Sequence, residues 1–129
     1  MTDRMAEELR LLMREYPDVE YRGDGDWFRI PLFRLPPAIW NREETPVCFQ
    51  APPGYPGNPP YGFYVSAGLR LTDARMPNNY SEPAPAPFEG QWGKFSWQNE
   101  NWRATGDVLS GSNLLNFVRT FHHRFREGH

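Results

Sequence analysis

Apolar residues recur at helical spacing at the two ends of the chain and at strand spacing between them. Met5, Leu9, Leu12, Met13 and Tyr16 fall on one face of a helix over residues 2–16. Thr2 is its expected cap, Asp3 sits in its first turn, and Pro17 ends it, because proline disfavours helical backbone in the residue before it. The pattern then shortens to period two. Val19 and Tyr21 alternate with polar residues, Gly23-Asp24-Gly25 supplies a turn, and Trp27, Phe28, Arg29 and Ile30 open a second strand. Pro31 places the end of that strand near a sheet edge. "TPVCFQ" and "YGFYV" read as a third and a fourth strand.

Residues 66–101 show no clean period, so a long ordered loop is expected there, pinned by Phe88, Trp92, Phe95, Trp97 and Trp102. Within it "EPAPAP", residues 82–87, reads as a solvated polyproline-like passage. From about Asp107 to Arg126 the helical period returns, with Val108, Leu114, Leu115, Val118, Phe121 and Phe125 on one face. Short turns between consecutive strands imply an antiparallel meander. The expected fold is therefore α+β: an N-terminal helix, a four-stranded antiparallel meander, a long ordered loop and a C-terminal helix, in one domain over residues 1–129.

Composition narrows the function classes. The chain has 129 residues, a net charge of −2 and a sequence pI near 5.9, which gives no electrostatic footprint for nucleic acid. No apolar run approaches a membrane span, and "MTDRMAEELR" has no signal-peptide core. One cysteine, Cys48, excludes an internal disulfide and fits a cytoplasmic protein. His122, His123 and His129 have no acidic partner at ligand spacing, so neither a metal site nor a cofactor is expected.

The stretch "APPGYPGNPPYGFYV", residues 51–65, carries the most information. Prolines fix backbone dihedrals and remove donors, so a proline-rich passage before a strand can hold a rigid shape without sheet pairing. Tyr55-Pro56-Gly57-Asn58-Pro59-Pro60 resembles the "YP-x-x-PP" element that joins the third strand to the fourth in the ubiquitin-conjugating (UBC) fold. Residues 27–120, through "FEGQWGKFSWQNENWRATGDVL", resemble a prokaryotic branch of that superfamily, family E. The resemblance makes Tyr55, Pro56, Pro59 and Pro60 a folded wall and Trp102 the anchor of the turn into the last helix. Its implied partners are a ubiquitin-like protein and an activating enzyme.

The chemistry of a conjugating enzyme is missing from its place. The superfamily carries "HPN" soon after the fourth strand and a nucleophilic cysteine beyond it. Those positions fall near Arg70 and Thr72, and near Tyr80 or Ser81, where the sequence is "GLRLTDARMPNNYSEP". The resemblance therefore implies a cysteine-independent or inactive member of a bacterial conjugation pathway. The alternative is an active enzyme using Ser81, through an oxyester, or Cys48, through a thioester. Ser81 has Asn78 and Asn79 beside it but no base in the local sequence, and Cys48 has no flanking group to lower its pKa. Two binding surfaces are implied: Arg4, Glu8 and Arg14 on the polar face of the first helix, and Arg70, Asp73, Arg75, Asn78 and Asn79 in the loop where the chemistry would otherwise sit.

Overall fold

The computed structural model describes residues 1–129. Helix α1, Asp3–Glu15, begins where the hydroxyl of Thr2 accepts from the Met5 N–H at 3.1 Å. Four strands follow: β1 (Glu20–Arg22), β2 (Trp27–Arg34), β3 (Glu44–Gln50) and β4 (Tyr61–Ser66). They pair antiparallel in chain order, as expected. Strand β2, expected near 27–32, runs two residues further, to Arg34. The register slips between Ile30 and Phe33, and β1 covers only residues 27–29, so Pro31 meets no strand on that side and its missing N–H costs no ladder bond.

The expectation of four strands is corrected to six. The stretch taken for a long loop contains β5 (Tyr80–Ala84) and β6 (Trp92–Gln98), and the sheet order is β1-β2-β3-β4-β6-β5. Strand β6 inserts beside β4, and β5 folds back onto its outer side. "EPAPAP" is not wholly solvated polyproline, since Glu82–Ala84 belong to β5. Pro83 is tolerated because β5 is the edge strand and the register is irregular between Ser81 and Ala84. The period was hidden because Gly93 takes an inward position of β6 where alternation calls for an apolar side chain. Gly93 is required: a Cβ there would overlap the ring of Tyr80.

The last helix starts later than its apolar pattern. Val108–Ser110 form a single 3-10 turn capped by Asp107, and α2 is Leu114–Arg126, capped by Asn113, whose side chain accepts from the Asn116 N–H at 2.8 Å. One face of the sheet packs on α2 through aromatic rings. Phe63 stacks on Phe121 at 4.0 Å between centroids, and Phe33, Phe49 and Phe95 pack around Phe117, Phe121 and Phe125. Each fully buried phenylalanine contributes about 1.5–3 kcal/mol of transfer free energy. No helix is long and apolar enough to cross a membrane.

Candidate functional site

Residues 67–82 follow β4 and hold most of the positions the resemblance singles out. The loop is pinned on two sides. On one side it zips onto residues 39–41: Trp40 and Leu71 form an isolated bridge, Asn41 N donates to Arg70 O at 2.8 Å, and the Asn41 side chain spans the Gly68 carbonyl and the Arg70 N–H. On the other side lies Glu82 of β5. Its carboxylate accepts from both terminal guanidinium nitrogens of Arg70, Nη1 and Nη2, from the Gly68 N–H at 2.9 Å and from the Tyr80 hydroxyl at 2.6 Å. The Arg70 hydrogen bonds, then those of Gly68 and Tyr80, pull the Glu82 carboxyl down to about 2.

Arg70 is therefore already committed to a carboxylate. Arg75 pairs with Asp73 through its Nε at 2.5 Å, in a turn made possible by Ala74 at φ 70°, and both side chains are well exposed. The Arg75 contact pulls the Asp73 carboxyl below its ordinary value. Asn78 is held through its backbone: its carbonyl accepts from Nη2 of Arg124 at 2.7 Å, while its side chain meets Nδ1 of His129 at 2.9 Å. Arg124 is itself buried and lies over the Phe95 ring at 4.6 Å. Asn79, with φ 54°, turns the chain into β5 and accepts from the Ser96 N–H.

Ser81 is exposed on β5, in register with Lys94 of β6, the chain's single lysine. The Lys94 ammonium sits over the rings of Tyr64 and Tyr61 at 5.4 and 5.8 Å. No histidine bonds to Ser81. His122 stacks on Phe33 at 4.6 Å on the far side of the sheet, and burial lowers its pKa. His123 does approach the loop region, lining a cavity with Asn79 and Ser96, which its distance along the chain did not suggest.

Cys48 lies in the middle of β3, opposite Arg29 of β2 and Tyr64 of β4, and is fully buried. Val47 and Phe49 on either side face the aromatic core, so Cys48 faces the opposite side of the sheet. Burial pushes its thiol up to about 12, against a smaller lowering by Arg29.

The first helix departs from its expected role. Glu8 is not on a polar face but fully buried. Its carboxylate accepts from Arg4 Nε at 3.2 Å, from the hydroxyl of Tyr55 and from the Leu114 N–H at 3.0 Å, at the start of α2. Arg4 also donates to the carbonyls of Thr105 and Ser112. The apolar pattern could not reveal this, because the partners of Glu8 lie at residues 55 and 114. Arg14 remains exposed, as do Glu7 and Arg10 beside it. The proline passage is ordered as a wall. Tyr55 packs on Trp102 at 5.8 Å, the Trp102 indole donates to the Pro56 carbonyl at 2.9 Å, and Pro60 is buried.

An N-terminal helix, a six-stranded antiparallel sheet and a C-terminal helix, with a proline wall before β4, are consistent with an E2-like fold. The chain belongs to the prokaryotic E2 family E, whose family model matches residues 7–120. Searches of curated proteins and of solved structures returned no match.

Proposed function

We propose that this chain acts in a bacterial conjugation pathway as a binding protein for a ubiquitin-like protein, its activating enzyme or both, and does not itself carry the ubiquitin-like protein as a thioester. Membership of prokaryotic E2 family E supports the pathway. One observation carries the rest: the chain's single cysteine is sealed in the sheet with its thiol pushed up to about 12. At neutral pH the thiol stays protonated, and a fully buried sulfur offers no approach to a carbonyl carbon. Ser81 is open to solvent and no side chain is hydrogen-bonded to its hydroxyl to take the proton, so the hydroxyl stays a weak nucleophile.

The binding surfaces narrow accordingly. On α1 the exposed charges are Arg14, Arg10 and Glu7, whereas Arg4 and Glu8 hold the fold. In the loop the Asp73–Arg75 turn and Asn79 face solvent, whereas Arg70 is held by Glu82. A carboxylate-ended tail would meet Arg75 first and would have to displace Glu82 to reach Arg70.

The test combines two measurements on the purified chain with a ubiquitin-like protein and activating enzyme encoded beside it. Calorimetry is expected to detect binding to at least one of them. Incubation with ATP is expected to yield no adduct released by thiols. A thiol-released adduct that disappears in Cys48→Ser, or a hydroxylamine-released one that disappears in Ser81→Ala, would overturn the proposal in favour of an enzyme.

A further inference from the structure

The sheet has two faces, and α2 covers one of them. Phe28, Ile30, Phe63, Val65 and Phe95 belong to the core on that side. By alternation Trp27 and Arg29 of β2, Tyr64 of β4, and Trp92 and Lys94 of β6 face the other way. Residues 85–91, which join β5 to β6, cross this outer face as a strap. Ala84 already pairs with Trp92, so a tight hairpin of about two residues would have been short enough to stay at the edge. The strap instead carries the Phe88 ring to 6.5 Å from Trp27 and 6.4 Å from Trp92. Strands β3 and β4 separate those two tryptophans, so Phe88 sits over the middle of the sheet. Arg22 of β1, the opposite edge strand, donates from Nη1 to the Pro87 carbonyl.

We infer that the outer face is a recognition surface for an extended partner segment in which a phenylalanine follows alternate prolines, and that the chain's own Pro85-Ala86-Pro87-Phe88 fills it as an internal ligand until such a segment replaces it. The manner in which the strap is held points to a ligand. No backbone N–H from residue 85 to residue 91 donates to a backbone carbonyl. The strap is tied instead through the Pro87 and Phe88 carbonyls, which accept from Arg22 and, at 3.1 Å, from Trp92 Nε1. Side-chain donors aimed at carbonyls between aromatic walls suit a proline-bearing segment, whose backbone is already extended and whose carbonyls are free. Phe88 is also seated less deeply than any other phenylalanine. Of the nine in the chain, the other eight are exposed by 1% or less, whereas Phe88 is only half-buried. The surface beneath does not depend on the strap for its shape. Trp27 packs on Tyr64 at 5.3 Å, and Trp27, Tyr64 and Trp92 are all carried by paired strands. Gly90, at φ 111°, gives the strap a pivot where it returns to β6. The surface is separate from the exposed charges of α1 and from the Asp73–Arg75 turn, and it requires neither an activating enzyme nor a ubiquitin-like protein.

The test uses the full chain and a fluorescent peptide copy of residues 83–90, PAPAPFEG, read by anisotropy. In the wild type the resident strap competes at an effective concentration on the order of millimolar, so only weak binding is expected. Phe88→Ala removes the resident ring and leaves Trp27, Tyr64, Trp92 and Arg22 in place. It is expected to bind the peptide saturably and at least about tenfold more tightly than the wild type does. Replacing residues 85–90 by glycine and serine is expected to give the same gain. In either background, alanine in place of the peptide's phenylalanine and Trp27→Ala in the chain are each expected to abolish it. No gain in the strap variants, or binding indifferent to the peptide's phenylalanine or to Trp27, would overturn the inference. So would loss of cooperative unfolding in both strap variants, because the strap would then be part of the core. A wild-type dimer that Phe88→Ala dissociates would also overturn it, by placing a second copy's strap on the face.

Discussion

Two carboxylates in this protein are held by the same kinds of donor and do different work. Glu8 accepts from Arg4, the Tyr55 hydroxyl and the Leu114 N–H; Glu82 accepts from Arg70, the Tyr80 hydroxyl and the Gly68 N–H. Glu8 is 0% exposed, whereas the Glu82 side chain retains 18%. The donors of Glu8 come from α1, the proline wall and α2, so its carboxylate joins elements distant in the chain. The donors of Glu82 all lie within fifteen residues of it, and it fastens one loop to one edge strand. The chemistry alone does not tell a structural junction from a loop clasp. Burial and the separation of the partners do, because water can replace a lost partner only where it can reach.

That contrast can be broken most easily at the carboxylates themselves. Glu8→Ala leaves the Tyr55 hydroxyl and the Leu114 N–H unpaired in the interior and Arg4 without its counter-ion. It is expected to cost about 3–5 kcal/mol in urea unfolding, against about 1 kcal/mol for Glu82→Ala, where solvent screens the pair. Equal losses would erase the distinction.

The pH profile sharpens the second half of the comparison. The Glu82 carboxyl is lowered from an ordinary 4.5 to about 2, so the folded state binds its proton less readily than the unfolded chain. Its contribution is therefore complete above about pH 4.5 and fades as pH falls toward 2. Wild type is expected to lose more melting temperature over that range than Glu82→Gln, and parallel curves would mean the clasp contributes nothing.

A smaller effect separates the two tyrosines. Tyr55→Phe removes a donor to a buried carboxylate and is expected to cost about 1–2 kcal/mol; Tyr80→Phe, beside a partly hydrated one, about 0.5 kcal/mol. Thermal melts of both variants check the order, and a reversal would mean that the Glu82 clasp is the tighter of the two.

The smallest stability changes are expected where arginines face solvent. Arg14→Ala and Arg75→Ala should each shift stability by no more than about 0.5 kcal/mol, so any loss of partner binding in them reports a surface and not the fold. A larger loss of stability in either would add it to the committed group with Arg4 and Arg70.

Much of the architecture was legible in the chain. The cap at Thr2, the stop at Pro17 and the strands expected near 19–22, 27–32, 45–50 and 61–66 each rest on local preferences that act within a few residues. Strands β5 and β6 were not legible, because Pro83 and Gly93 break the expected alternation. Both are tolerated only by virtue of where they sit, Pro83 on an edge and Gly93 under the Tyr80 ring. How the candidate site's side chains pair was not legible. Arg4, Glu8 and Arg70 look like surface charges at their spacing, and nothing within four residues of Glu8 except Arg4 hints at a partner.

The sequence by itself determined the two helices, the first four strands and the rigid proline passage, and it placed the one cysteine, Cys48, within the third strand. These follow from backbone preference and from residue identity, which need no knowledge of neighbours. Only the tertiary structure decided that β6 enters beside β4, that Glu8 is buried between Arg4, Tyr55 and Leu114, and that Cys48 is sealed away from solvent. Each of these depends on contacts between residues far apart in the chain, and burial, which sets both the cost of an unpaired charge and the acidity of a thiol, is a property of those contacts and not of any residue alone.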